Sequence, residues 1–198
     1  MNRNFFALAL TLCLSVASHA KTQKAAQTQT SPSQIAVKTV NGNWIKPLQG
    51  TKRKATVLLF IAHDCPISNS YAPELNRMIK QFSAQNVVFY LIYTEPELSP
   101  TAARTHLRQF GYSCSALFDR DLRLAKLVGA TVTPEVAVLE PNGTRRYLGR
   151  IDDRYAGYGK RRINVQSHDL RDALQSVVRG KAVQTPVTTA IGCFISRG

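Results

Sequence analysis

Residues 57–73 read VLLFIAHDCPISNSYAP, and no other stretch constrains the fold as tightly. Val57 to Ile61 run without a polar break, a pattern that suits a strand covered on both faces rather than one with a wet side. Cys65 follows almost at once, and from Pro66 a helical pattern begins. A sulfur held between the end of a buried strand and the start of a helix meets unpaired backbone N–H groups and the positive end of the helix dipole. Both favour thiolate over thiol, and thiolate is the reactive form of cysteine. The chain therefore asks for a layered fold with a central strand whose carboxyl end carries sulfur chemistry.

The flanking segments supply the layers. Tyr71, Leu75, Met78, Ile79 and Phe82 recur at three- and four-residue steps, giving a helix one apolar face to lay on a sheet, and Pro73 should bend it. Val87 to Tyr93 is a second buried strand, rich in branched and aromatic residues. Ser99-Pro100 opens a helix running to about Phe110, with the hydroxyl as cap. Ala116 to Phe118 is a short strand and Asp121 to Val128 a short helix. Glu135–Leu139 and Arg145–Ile151 flank Pro141-Asn142-Gly143 as an antiparallel hairpin, and Ser167 is expected to cap a last helix ended by Gly180. Ile35 to Ile45 reads as a short hairpin turning at Asn41-Gly42. Alternating strands and helices with a closing hairpin make an α/β fold: a mixed central sheet flanked by helices.

On these residues the chain resembles the thioredoxin superfamily, whose members carry C-x-x-C-x-x-x-x-P at this point. Cys65 falls on the first position and Pro73 on the last, and Ser68 stands where the second cysteine would be. Residues 129–139, GATVTPEVAVL, resemble the family's cis-proline loop and following strand, with Thr133-Pro134 at the cis peptide. The interval between the two sites leaves room for an inserted strand–helix unit, as in the TlpA-like and alkyl hydroperoxide reductase/thiol-specific antioxidant (redoxin) branch. The resemblance covers residues 35–180. It implies a thioredoxin-like fold in which Thr133 and Pro134 lie against Cys65 and offer backbone to an extended substrate segment.

The ends of the chain bound where it works. Arg3, the apolar run from Phe5 to Val16 and the small residues Ser18 and Ala20 read as a signal peptide over residues 1–20, too short to span a bilayer. Residues 21–34, polar and without aromatic or branched aliphatic side chains before the end, read as a disordered linker. Residues 35–180 form the domain, and residues 181–198 a tail carrying Cys193. No other segment is apolar and long enough to cross a membrane, so the reading is an exported protein, periplasmic or extracellular. The formal charge of +14 marks a cationic surface. Export and the lack of aromatics interleaved with the basic clusters argue against nucleic acid.

Beyond the leader three cysteines remain: Cys65, Cys114 and Cys193. An odd number in an oxidising compartment leaves one thiol unpaired or paired with another chain. Ser68 can hydrogen-bond a thiolate at Cys65 but cannot resolve a mixed disulfide, so a second sulfur must come from elsewhere. Cys193 lies in Ala190-Ile191-Gly192-Cys193-Phe194-Ile195, a small apolar patch suited to docking, with Gly192 permitting close backbone approach. A reversible Cys65–Cys193 pair, a bond from Cys193 to another chain and an inert packing role all remain open on sequence. Cys114 is expected to be a buried small residue. His63 is a candidate to stabilise the thiolate and Asp64 a lesser one to move protons. His106 and His168 are expected on helix surfaces, and Tyr155 and Tyr158 in a solvated loop.

The function these residues suggest is thiol–disulfide exchange with a thiol- or disulfide-bearing protein partner, through a mixed disulfide, needing no cofactor and no metal. Two alternatives stand beside it. A peroxiredoxin-like antioxidant peroxidase would show P-x-x-x-T-x-x-C, which places proline at Leu58 and threonine at Ala62. A Sco-like copper module would bring Cys65, Cys193 and His63 together as soft ligands.

Overall fold

The computed structural model describes residues 31–196. The residues read as a signal peptide and most of those read as a linker lie outside them. Ser31 to Gln34, assigned to the linker on composition, instead contain a 3-10 turn, Pro32–Gln34. In chain order the elements are β1 Val37–Thr39, β2 Trp44–Ile45, β3 Ala55–Ile61, α1 Pro66–Ser70, α2 Ala72–Ser83, β4 Val87–Tyr93, α3 Pro100–Gln109 and β5 Ser115–Phe118. There follow α4 Arg123–Val128, β6 Val132–Thr133, β7 Glu135–Leu139, β8 Arg145–Gly149, β9 Tyr155–Gly157, β10 Lys160–Arg161, α5 Asp169–Val178 and β11 Cys193–Phe194.

Seven strands form one mixed sheet in the order β2-β1-β5-β4-β3-β7-β8. β3 pairs in parallel with β4 and antiparallel with β7, so it has a strand on each side. Its side chains alternate between two cores, which explains the unbroken apolar run. Val57, Leu59 and Ile61 pack with Leu75, Met78 and Phe82 of α2 and Leu170 and Leu174 of α5. Leu58 and Phe60 pack on the other face with Leu124 and Val128 of α4 and with Ile195. All seven residues of β3 are buried. Two strand–helix steps, β4–α3 and β5–α4, separate the Cys65 turn from Thr133-Pro134, so the inserted unit is present. The fold is thioredoxin-like α/β.

Local chemistry accounts for the element ends. Pro73 has no N–H for the carbonyl of Asn69, and the expected kink is a complete break at Tyr71 between α1 and α2. Ser99 Oγ accepts the Ala102 N–H at 3.1 Å as the cap of α3. The buried Asp119 carboxylate caps α4, accepting from Leu124 N–H at 3.0 Å and Ala125 N–H at 2.8 Å. α5 departs from expectation: His168, not Ser167, is its N-cap and provides no side-chain bond. The reason is Asp153, whose Oδ1 takes the backbone N–H of both Gln166 and Ser167. That holds Ser167 in the preceding loop.

The tail does not trail into solvent. It runs along the edge of β8, where Leu148 N–H donates to Pro186 O and Thr188 N–H to Leu148 O, both at 3.0 Å. Gly149 permits this approach, because a Cβ there would sit 2.4 Å from the Thr188 carbonyl oxygen. The chain then crosses to β6 and pairs β11 with it, antiparallel.

Candidate redox site

Cys65 is the N-cap of α1, with Pro66 in the first turn, and is 2 % exposed. Burial pushes its thiol up, but other contacts outweigh burial. The Cys193 thiol, the backbone N–H groups of Ser68 and Ile67, and the Ser68 hydroxyl all hydrogen-bond the sulfur, and its acidity ends below the ordinary thiol value. Ser68, fully buried, also accepts the Ala62 N–H at 3.4 Å. One hydroxyl thus ties the end of the strand to the first turn of the helix.

Thr133-Pro134 is a cis peptide, and Thr133 O lies 3.7 Å from Cys65 Sγ. Cys193 pairs with Thr133 in the β6–β11 ladder, and the two sulfurs stand 3.0 Å apart. Both are free thiols at this separation. Cys193 is pushed up to about 11, first by its hydrogen bond to Cys65, then by burial and by the charges of Cys65 and Asp64. Of the two sulfurs Cys65 is the more acidic, so the last proton shared by the pair rests on Cys193. Sulfurs already 3.0 Å apart leave about 1 Å of movement to close a disulfide of about 2.05 Å.

Gly192 is required for this docking. A Cβ there would lie 2.0 Å from Thr133 O, so only glycine fits against the cis-proline loop. Ile195 anchors the far side of the contact: it is buried, and its N–H donates to Thr131 O at 2.9 Å. Tyr158 Oη donates to Gly192 O from the β9–β10 hairpin. The segment expected as a solvated loop is exposed, with Tyr158 62 % exposed, but is folded as a hairpin that makes this bond to the tail. Tyr155 reaches the same region, its hydroxyl 2.9 Å from Ser70 Oγ.

His63 is held by Glu95. Its Nδ1 lies 2.7 Å from Glu95 Oε1, and its backbone N–H donates to the same oxygen at 2.8 Å. The leading causes of the Cys65 acidity are hydrogen bonds from Cys193 and α1. Asp64 is exposed, with its carboxylate 3.9 Å from His63 Nδ1. Glu95 was not anticipated, although the parallel register Ile61↔Tyr93 carries two residues further to His63 beside Glu95.

His106 corrects a second expectation. It is buried, not on the surface: Nδ1 accepts from the Tyr93 hydroxyl at 2.7 Å, and Nε2 donates to Asn69 Oδ1 at 2.8 Å. Asn69 Nδ2 in turn donates to His63 O at 2.9 Å. Burial, with the charge of His63, lowers His106 to about 4, so the ring is neutral and buttresses the turn before Cys65. His168 is exposed as expected. Cys114 is half-buried on the far part of β4–β5, its thiol pushed up to about 12 by burial.

The alternatives can be weighed on geometry. Position 62 is an alanine, and the Thr133 hydroxyl is directed to Cys193 O at 3.4 Å. Neither offers a peroxide a hydroxyl of the kind that P-x-x-x-T-x-x-C supplies. Among the described residues the trio with ligand atoms within 4.8 Å of one another is His63, Asp64 and Glu95, and it does not include the sulfurs. One imidazole and two carboxylates lack the soft sulfur that a Cu(I) site favours.

The family model described as "AhpC/TSA family" matches residues 15–148. A crystal structure of a hypothetical protein from Sinorhizobium meliloti is similar at 26% identity and TM-score 0.73, covering 85% of this chain and 94% of that one. An uncharacterized conserved protein from Geobacillus kaustophilus is similar at 28% identity and TM-score 0.71, covering 83% and 88%. The fold is shared with MTB dsbF in its mixed oxidized and reduced forms, at 20% identity and TM-score 0.56, covering 75% and 98%. No curated protein matches the sequence.

Proposed function

Since the chain belongs to the AhpC/TSA family, we propose that it is an exported thiol–disulfide oxidoreductase whose working pair is Cys65 and Cys193. One observation carries the reading: a buried, acidified sulfur at a helix N-terminus and a second sulfur 3.0 Å away, both set against Thr133-Pro134. The first cysteine of a C-x-x-C motif is kept, the second is replaced by Ser68, and the missing sulfur is returned by the tail. Cys65 attacks or releases sulfur, Cys193 closes the ring, and Ser68 and the α1 backbone hold the thiolate between steps. The substrate class is a thiol or disulfide on a protein partner. Export rests on the leader in residues 1–20, and among the described residues no helix is long and apolar enough to cross a membrane.

The test is turnover of a chromogenic aromatic disulfide by wild type and by Cys65→Ser, Cys193→Ser and Cys114→Ser, with excess reductant. The reading requires loss of turnover at Cys65, single-step reaction without ring closure at Cys193, and an unaffected Cys114 variant. Equal activity in the Cys65 and Cys114 variants would dismiss it.

A further inference from the structure

We propose that a partner thiol reopens the oxidised pair by attacking Cys193 rather than Cys65, because the docked tail fills the edge of Val132–Thr133 and leaves Cys193 the more exposed of the two. The inference rests on the exchange reading above and assigns roles within it. Three observations converge. First, the backbone edge beside Thr133-Pro134 is already taken: Cys193 and Phe194 pair with Thr133 and Val132, so a partner strand has no free edge there while the tail is docked. Secondly, Cys65 is 2 % exposed whereas Cys193 is an exposed residue, flanked by a Phe194 that is 80 % exposed. Thirdly, attack on a disulfide runs faster when the departing sulfur is the more acidic one. Cys65 is lowered and Cys193 raised, so the bond opens most readily with Cys65 leaving.

The step is an exchange with balanced electrons. A partner thiolate bonds to Cys193 Sγ, the Cys65–Cys193 bond breaks, and its electron pair stays on Cys65 as thiolate. A second partner thiolate then takes the first sulfur from Cys193, leaving a partner disulfide and the reduced pair. In this direction the tail carries the partner's sulfur and Cys65 is the sulfur released.

The experiment oxidises the full chain, adds less than one equivalent of glutathione, quenches with N-ethylmaleimide and maps both labels by peptide mass spectrometry. Glutathione on Cys193 with maleimide on Cys65, at least tenfold over the reverse, is the expected result. Glutathione on Cys65 or spread equally over both sulfurs would overturn the assignment while leaving exchange intact. Failure of oxidation to join Cys65 to Cys193 would remove the exchange reading itself. Gly192→Ala isolates the cause, since its Cβ would meet Thr133 O and undock the tail. Once oxidised, that variant should take glutathione on both sulfurs. An unchanged tenfold preference there would overturn docking as the source of selectivity.

Discussion

Acid should loosen the site through His106. The ring is buried and neutral, fixed by Tyr93 at Nδ1 and Asn69 at Nε2. In the unfolded chain its pKa is near 6.5, and in the folded protein about 4. Between those values the unfolded state binds a proton that the folded state refuses, so stability falls as pH falls from 6.5 toward 4 and levels off below. At 1.36 kcal/mol per pH unit the interval corresponds to about 3 kcal/mol. That is a large part of the 5–15 kcal/mol that typically holds a domain together. The assay is urea unfolding of wild type and His106→Gln at a series of pH values. Glutamine keeps a donor for Asn69, and carboxylates common to both proteins cancel in the difference. The wild type should lose about 3 kcal/mol more than the variant between pH 7 and pH 4. Parallel curves would show that His106 is not held neutral and would refute the reasoning.

Other outcomes follow from single contacts. Cys193→Ala removes the strongest hydrogen bond on the Cys65 sulfur and should raise its pKa, read by ultraviolet thiolate absorbance against pH; the alkylation rate at neutral pH should fall with it. Leu75→Ala empties a buried position between α2 and the sheet and should cost about 3 kcal/mol in urea unfolding. Asp119→Ala strips the cap from α4 and should cost about 1–2 kcal/mol, with faster amide exchange at Leu124 and Ala125.

Much of this molecule is legible in its residues because the signals are local. Val57 to Ile61 can be apolar at every position only if both faces of β3 are covered, and Pro73 must interrupt a helical run that has already begun at Pro66. The small apolar patch ending in Gly192-Cys193-Phe194-Ile195 announces docking because it concentrates the largest apolar side chains of the tail. Contacts made across the fold leave no such trace. His106 sits on a helix of low apolar content, and only the arrival of Tyr93 and Asn69 makes its burial tolerable. Glu95 meets His63 through strand register, which sequence leaves unspecified until β3 and β4 are paired. Ser167 has the right side chain for a cap, but Asp153, fourteen residues earlier, holds its backbone instead. Tyr158 reads as a loop residue until the tail it clasps is in place.

Non-reduced peptide mapping of the mildly oxidised protein is the most direct test of the paired-sulfur site. The arrangement of β6 and β11 predicts one crosslinked species joining the peptides of Cys65 and Cys193, with Cys114 recovered as free thiol. A bond from Cys114 to either, or oxidation that leaves Cys65 alkylatable while the protein stays folded, would contradict it.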